Sequence, residues 1–326
     1  MSSDNFWAEL KKPFFVLAPM ADVTDGAFRR VIAKYSKPTQ FVTYTEFVSA
    51  DGLALAPEEG RKKLLRDLVF TDAERPIVAQ FFTSTPEYME KAAALAQEMG
   101  FDGVDINMGC PADAVEKQGA GAKLILNPER AQELIAAAKR GAPNLPVSVK
   151  TRLGFNTDIL EEWLPQLLVA EPVMVAIHAR TRKEMSAVPA RWERVKRAVE
   201  IRNELGSKTL IVGNGDLKDV ADAEQKIKET GADGAMLGRA IFGKPWLFSY
   251  SHELENEEAR LRILVEHTKS FEELLGDIKS FAIMKKHFKA YVEGFTGAKE
   301  LRMQLMEAEN ASQVEKIIEE FLKMEL

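Results

Sequence analysis

Short runs of β-branched and aromatic residues alternate along the chain with longer segments whose apolar residues have the spacing of amphipathic helices. The runs predict eight strands, at 14–19, 41–47, 76–82, 103–109, 146–152, 174–180, 209–215 and 234–239. Two of the intervening segments have clear helix boundaries. Each begins with a capping residue and a proline, Pro86 or Pro128, and each ends at a glycine, Gly100 or Gly141.

Eight strand–helix units within roughly 250 residues predict a (β/α)8 TIM barrel, which is an α/β fold. A doubly wound sheet is the alternative, but it does not need eight repeats, and no GxGxxG follows the first strand. After residue 248 the strand pattern stops, and helices are predicted at 257–275, 277–293, 297–308 and 312–324, the last opened by a Ser312–Glu315 capping box. We therefore predict a barrel domain at 1–250 and a small all-helical domain at 251–326.

Composition narrows the class of protein. The chain has 326 residues, of which 46% are hydrophobic and 29% charged, as in ordinary globular proteins. It has neither a signal-peptide pattern nor an apolar stretch long enough for a bilayer, so we expect a cytoplasmic protein. A single cysteine excludes an internal disulfide, and the four widely spaced histidines do not suggest a metal site. The net charge of −6 means that any binding of nucleic acid must use a local patch.

Polar residues recur at the ends of the predicted strands. Six strands end at or near a polar side chain: Glu46, Gln80, Asn107, Lys150, His178 and Asn214. The apolar neighbours within each strand can face the helices, so the alternation directs the polar residues to the inner face. Active sites of TIM barrels lie at the carboxyl ends of the strands. One such residue could be a satisfied core group, but six together predict a site.

Cys110, the only cysteine, lies in a Gly-Cys-Pro turn after the fourth predicted strand. Free cysteines are often simply buried, yet its position beside Asn107 favours a functional role. His178 alone could be a hydrogen-bonded core histidine. Lys150 is more informative, because a lysine directed into a barrel needs an anion or an electron-rich partner to offset its desolvation.

The loops after the last two strands have the composition of a phosphate site. They are "VGNGD" at 212–216 and "LGRAIFGKPW" at 237–246. Glycines 213, 215 and 238 would let backbone N–H groups approach a phosphate, and Arg239 would add positive charge. Ordinary turn chemistry is the alternative explanation of the same residues.

Two groups of basic residues suggest contacts with a charged substrate. Arg180 and Arg182 follow His178 closely and could recognise a phosphate or could be solvated surface arginines. Residues 251–326 are acidic overall, with 11 Lys and Arg against 16 Asp and Glu. Within them, residues 279–302 hold six basic and two acidic residues, including Lys285, Lys286 and Lys289. This run is either a solvated helix face or a footprint for an RNA backbone.

Seven segments of the barrel region form an ordered set: "APMADVTDGAFRR", "TEFVSADGL", "DINMGCPADAVEKQGAGAKLI", "VKTRLGF", "IHARTR", "VGNGD" and "GADGAMLGRAIFGKPWLF". Together they resemble the tRNA-dihydrouridine synthases. The tail segment "KAYVEGFTGAKELR" fits as well. The resemblance implies an FMN-binding (β/α)8 barrel followed by a helical domain that binds tRNA. The chain differs from the family pattern at 179–192, where Ala179 replaces a glycine and Arg191 precedes Trp192.

The resemblance also implies roles for individual residues. The expected FMN contacts are Ala18, Pro19, Met20, Gln80, Lys150, His178, Asn214, Gly215, Asp216, Gly238 and Arg239. Cys110 matches the family's proton donor, whereas Asn107 and Arg152 resemble positions that meet the uracil. For Arg180, Arg182, Lys285, Lys286 and Lys289 we expect contacts with the tRNA.

The implied activity is the reduction of uridines in tRNA to 5,6-dihydrouridine, with hydride passing from flavin N5 to C6 and a proton from Cys110 to C5. NADPH is the expected reductant of FMN, and NADH is possible. A flavin barrel that reduces a small molecule, a tRNA-binding protein or chaperone without catalysis, and a lyase with a Schiff base on Lys150 are the alternatives. We expect no membrane or metal partner and a monomer, although nothing in the sequence specifies the oligomeric state. The sequence likewise does not identify the uridine that is reduced.

Overall fold

The computed structural model describes residues 5–36, 41–249, 254 and 256–325. Its eight strands are all parallel and form a closed barrel in sequence order, with β8 paired to β1. They are β1 Phe14–Leu17, β2 Phe41–Ser49, β3 Ile77–Phe82, β4 Gly103–Met108, β5 Val147–Arg152, β6 Met174–His178, β7 Leu210–Asn214 and β8 Gly234–Leu237. The predicted TIM barrel is confirmed, and each strand lies where the sequence predicts one.

Helix α1 precedes β1, and helices α2 to α10 lie between successive strands in the sequence. They are α1 Phe6–Glu9, α2 Gly26–Tyr35, α3 Ala50–Leu55, α4 Glu58–Asp67, α5 Pro86–Glu98, α6 Asp113–Glu116, α7 Pro128–Gly141, α8 Leu160–Val169, α9 Trp192–Glu204 and α10 Val220–Thr230. Both helices that proline and glycine delimit in the sequence are present as α5 and α7. The Asn127 side chain caps α7 by accepting a hydrogen bond from the Arg130 N–H at 3.1 Å.

The chain folds into two compact units. The first comprises Met1–Pro19, Phe41–Leu68 and Arg75–Gly238, and it contains all eight strands. The second comprises Met20–Gln40, Val69–Glu74 and Arg239–Leu326. Helix α2, which directly follows β1 in the sequence, thus belongs to the second unit, where it packs on α11 (Glu257–Leu275). The predicted domain boundary at residue 250 remains a proposal.

The second unit also contains α12 Lys285–Tyr291, α13 Ala298–Glu307 and α14 Ala311–Glu325. The segment predicted as one helix over 277–293 consists of a 3-10 turn, Phe281–Met284, followed by the short α12. The predicted capping box of the last helix is wrong by two residues. Asn310 accepts from the Gln313 N–H at 2.9 Å, and the Gln313 side chain accepts from the Glu309 N–H at 2.7 Å. Asn310 is a strong cap at the point where the chain enters the helix, which leaves Ser312 inside it.

Candidate active site

A buried carboxylate lies at the inner face of the barrel, below the carboxyl ends of the strands. Asp105 on β4 is fully buried and pairs in register with Gln80 on β3 and Ser148 on β5. Its Oδ1 accepts from the Ser148 hydroxyl at 2.6 Å, and its Oδ2 accepts from Gln80 Nε2 at 2.7 Å. The Tyr44 hydroxyl lies 3.1 Å from the Ser148 Oγ. Burial raises the pKa of Asp105 to about 6, against the opposing effect of these hydrogen bonds.

The loop that carries Cys110 is fastened to the same polar cluster. Asn107 lies two residues beyond Asp105 on the same face, and its Nδ2 donates to Gln80 Oε1 at 3.0 Å. Its Oδ1 accepts from the backbone N–H groups of Gly109, at 3.1 Å, and Cys110, at 2.9 Å. Two hydrogen bonds to one side-chain oxygen hold the Gly-Cys-Pro turn against the end of β4.

Cys110 is half-buried and packs against an apolar cluster that contains Phe82, Val115 and Ala120. Burial raises the pKa of the thiol, so it remains protonated at neutral pH. Two cations, Arg152 and Lys150, act in the opposite direction because they favour the thiolate. The site therefore holds a neutral thiol beside positive charges that would stabilise it after it has lost its proton.

Lys150 lies directly opposite Asn107 in the register of β4 and β5. Its Nζ is 3.4 Å from Asn214 Oδ1, while the Asn214 amide donates to the Met236 carbonyl at 2.7 Å. Burial, followed by repulsion from Arg152, lowers the pKa of Lys150 to about 8, and attraction by Asp105 limits the decrease. The side chain is still mostly protonated at pH 7.

His178 is held by the adjacent Arg180. Arg180 Nη1 is 3.1 Å from His178 Nε2, and because a guanidinium only donates, Nε2 is the acceptor and the imidazole is neutral there. Arg180 is buried, forms an ion pair with Asp216 and donates through Nε to the Val188 carbonyl at 2.6 Å. These bonds attach the loop after β6 to the loop after β7.

Arg152 connects two loops at the mouth of the barrel. It is buried, and its Nε donates to the Gly109 carbonyl at 2.7 Å. Its Nη1 donates to the carbonyls of Thr181, at 3.2 Å, and Met185, at 3.3 Å. Burial lowers the pKa of Arg152 to about 10, so it remains a cation at neutral pH.

The remaining predicted residues lie in several places. Ala18 follows β1 and donates through its N–H to the Leu237 carbonyl at 2.8 Å. Arg182 forms a bidentate pair with Glu116, at 2.5 and 2.6 Å. Pro19, Gly215 and Gly238 also belong to the first unit, whereas Met20, Arg239, Lys285, Lys286 and Lys289 belong to the second. The roles assigned to all of these residues remain predictions.

The structure thus gathers part of the predicted set at one end of the barrel in the first unit. The members that hydrogen bonds or register connect are Gln80, Asn107, Cys110, Lys150, Arg152, His178, Arg180, Asn214 and Asp216. Sequence reasoning missed Asp105, Tyr44 and Ser148 as members. The signal for Asp105 was available, because a residue two positions before Asn107 in a strand faces the same side.

The donor set at this end fits an acceptor-rich ring with an attached anion. Lys150 supplies an ammonium group, and each of the Gln80 and Asn107 amides has a second N–H beyond the one already used. Gly215 has a φ of +130°, and a Cβ there would lie 2.7 Å from the Ala190 Cβ. The backbone can therefore follow this path only without a side chain at residue 215. These features suit a flavin and its phosphate.

The described residues contain no group of three or more His, Cys, Asp or Glu side chains arranged to hold a metal ion. No helix in the same ranges is both long and apolar enough to cross a membrane.

Comparison with known proteins identifies the family of the chain and supports its fold. The family model "Dihydrouridine synthase (Dus)" matches residues 16–325. A probable tRNA-dihydrouridine synthase of Staphylococcus aureus (strain COL) is 39% identical over 320 residues, which cover 98% of this chain and 96% of that protein. A probable tRNA-dihydrouridine synthase 2 of Bacillus subtilis (strain 168) is 39% identical over 321 residues, covering 98% and 97%.

Among solved structures, histamine dehydrogenase from Rhizobium sp. 4-9 is similar in fold, with a TM-score of 0.52 and 13% identity over 78% of this chain and 48% of that chain. At this identity the similarity concerns the barrel fold alone. The family model and the two bacterial relatives cover nearly the whole sequence. The chain therefore belongs to the dihydrouridine synthase family.

Proposed function

We propose that the protein is a tRNA-dihydrouridine synthase, a flavin-dependent oxidoreductase that reduces specific uridines of tRNA to 5,6-dihydrouridine. The observation that carries the proposal is the Cys110 thiol, placed on a loop that Asn107 holds at the carboxyl end of β4, with Lys150 and Arg152 near enough for their charges to lower its pKa. Family membership supports the same activity, since the relatives bear this name. A tRNA substrate also agrees with the cytoplasmic location expected from the sequence.

FMN is the proposed cofactor. The residues that would hold its ring are Gln80, Lys150 and His178 together with Ala18, Pro19 and Met20, and those proposed for its phosphate are Asn214, Gly215, Asp216, Gly238 and Arg239. When bound and reduced, FMN supplies a hydride to C6 of the uracil, and NADPH, with NADH as the alternative, is the proposed reductant that restores it.

Cys110 is the proposed general acid for C5 of the uracil. Addition of hydride at C6 leaves an electron pair at C5, which takes the thiol proton to form the new C–H bond and leaves a thiolate. The raised pKa of Cys110 keeps the proton in place until it is needed. Arg152 and Lys150 then stabilise the thiolate, because both cations lower the pKa of this thiol.

Asn107 is the proposed contact for a uracil carbonyl. Its Oδ1 is occupied by two backbone N–H groups and one Nδ2 hydrogen by Gln80, so it has one N–H to offer. The target uridine must leave the tRNA stack to reach this depth, which costs a few kcal/mol. Phosphate contacts elsewhere can supply that energy, and we propose the exposed Lys286 and Lys289 of α12 for this role.

One anaerobic absorbance experiment tests the proposal. The purified protein is examined for a flavin spectrum, reduced anaerobically with NADPH and then mixed with unmodified tRNA. We expect the flavin absorbance to bleach with NADPH and to recover with tRNA, with dihydrouridine formed in proportion. Bleaching without recovery would instead indicate a reductase of small molecules. A colourless protein that cannot be reconstituted with FMN would leave only a scaffold that binds RNA.

A further inference from the structure

We infer that Asp105 is a positioning residue for Cys110: its carboxylate fixes the orientation of the Gln80 and Asn107 amides and, through them, the loop that carries the thiol. The inference deepens the proposed function and rests on the role of Cys110 as its acid. Asp105 is fully buried and lies five residues before Cys110 in the chain. It is connected to the thiol loop by three successive side-chain hydrogen-bonding steps.

The direction of these hydrogen bonds can be assigned from the thiol loop. The backbone groups of Gly109 and Cys110 are N–H donors, so the Asn107 atom that faces both of them must be the oxygen. The Asn107 nitrogen is then left to donate to Gln80, which must present its own oxygen at 3.0 Å. The Gln80 nitrogen in turn must find an acceptor on its other side.

The same direction follows independently from the buried end. An ionised carboxylate only accepts, so Asp105 Oδ2 requires a donor at 2.7 Å, which is Gln80 Nε2. Its other oxygen, Oδ1, is held by the Ser148 hydroxyl at 2.6 Å. The two ends of the chain of hydrogen bonds agree on one orientation for each amide. If the Gln80 amide were reversed, its oxygen would face the carboxylate and its nitrogen would face the Asn107 nitrogen. Both contacts would be repulsive, so this orientation is excluded.

This arrangement has a chemical consequence at the mouth of the barrel. Asn107 Oδ1 already accepts two hydrogen bonds, so Asn107 has only its second N–H for a bound molecule and is an obligate donor, which suits a carbonyl oxygen. Gln80 also has a second N–H to donate, and its Oε1 keeps one lone pair beyond the bond from Asn107. Asp105 itself has no exposed surface and reaches the Asn107 amide through Gln80, while its charge also raises the pKa of Lys150.

The test separates the acceptor of Asp105 from its charge. In Asp105→Asn the amide oxygen can still accept from Gln80, while its NH2 group faces the Ser148 hydroxyl. In Asp105→Leu, which keeps the branching at Cγ but has a larger side chain, no acceptor remains. Because Cys110 is the only cysteine, iodoacetamide labelling of the flavin-loaded protein without tRNA reports on this thiol alone. The labelling rate is measured against pH, and kcat and KM for tRNA are measured separately.

We expect the pH midpoint of labelling to fall in Asp105→Leu, toward the ordinary thiol value of about 8.5, because a released loop exposes the thiol. We expect kcat to fall by about 10²-fold, as for a displacement of about 1 Å, with KM nearly unchanged. Asp105→Asn should retain the wild-type midpoint and a kcat within about threefold, since the acceptor is preserved. Asp105→Asn, which keeps the acceptor, is the matched control for Asp105→Leu.

Two results would overturn the inference. One is a wild-type midpoint and kcat in Asp105→Leu; the other is an equal loss in Asp105→Asn, which would assign the effect to charge. If Asp105→Leu does not fold, Gln80→Met interrupts the same chain of hydrogen bonds and should produce the same shift in the labelling midpoint. If the wild-type protein reduces no tRNA uridine, the proposed function fails, whereas the labelling comparison still tests the positioning of Cys110.

Discussion

Replacement of His287 by phenylalanine tests how a buried histidine makes the stability of the fold depend on pH. His287 lies on α12 in the second unit with no exposed surface, and its ring centroid is 4.9 Å from Phe28 and 4.7 Å from His267. Within the described part of the chain, neither of its ring nitrogens has a hydrogen-bond partner. Burial, with a smaller contribution from Lys286, lowers the pKa of His287 to about 3.

The size of the effect follows from the difference between the folded and unfolded pKa values. The unfolded chain binds a proton at His287 below about pH 6.5, whereas the folded protein does so only near pH 3. Folded stability is therefore complete above about pH 6.5 and is lost as the pH falls toward 3. At pH 5, about 1.5 pH units below the unfolded pKa, the unfolding free energy is lower by about 2 kcal/mol.

His287→Phe removes this titration. The unfolding free energy of the variant also differs from that of the wild type by an amount that does not depend on pH. The larger ring is unfavourable by about 1–3 kcal/mol, and the removal of the unpaired polar atoms is favourable by about 1–3 kcal/mol. On top of this, the variant should gain about 2 kcal/mol relative to the wild type between pH 8 and pH 5. His267 has its own pKa well below the ordinary value, but it is present in both proteins.

Equilibrium urea unfolding at pH 5, 6, 7 and 8, followed by far-ultraviolet ellipticity, measures this difference. The matched control is Phe288→Leu, because Phe288 is the buried neighbour in sequence and does not titrate. Its difference from the wild type should be constant across the range. A constant difference for His287→Phe as well would mean that His287 is already solvated or hydrogen-bonded, and the reasoning from burial would be wrong.

Three further predictions concern activity. Cys110→Ala should retain flavin and tRNA binding but lose about 10²–10⁴-fold in dihydrouridine formation, and normal turnover would remove the thiol from the mechanism. Lys286→Glu with Lys289→Glu should weaken tRNA binding and flatten its salt dependence, as measured by filter binding; an unchanged slope would place the RNA contact elsewhere. Lys150 is protonated below its pKa of about 8, so uridine reduction should decline as the pH rises past this value. Lys150→Arg should move that decline upward, and a coincident pH profile would contradict the assignment.

The barrel could be predicted from sequence because its signals are local. Each strand is a short apolar run, and the first turns of α5 and α7 carry their own proline. Parallel pairing in chain order then brings the carboxyl ends of the strands together. This is why Gln80, Asn107 and Lys150 could be grouped from the sequence alone.

The partners of the arginines could not be predicted in this way. Arg180 and Arg182 lie close to His178 in the sequence, and this proximity suggested contacts with a substrate. Their ion-pair partners in the structure are Asp216, 36 residues away, and Glu116, 66 residues away. Only the folded chain brings such groups together. For the same reason, the packing of α2 on α11 has no counterpart in the local pattern of either segment.

The protonation of Cys110 shows most clearly what the sequence lacks. Its position in the turn follows from the residue pattern, but its use as an acid depends on two opposing environmental effects. Apolar packing against Val115 and its neighbours keeps the thiol neutral, while Arg152, which also holds the Gly109 carbonyl, favours the thiolate. An acid that were only buried would release its proton with difficulty, and one that were only surrounded by cations would have lost it already. The fold supplies both conditions at one atom, because β4 places the turn over the apolar cluster and β5 ends in the arginine beside it.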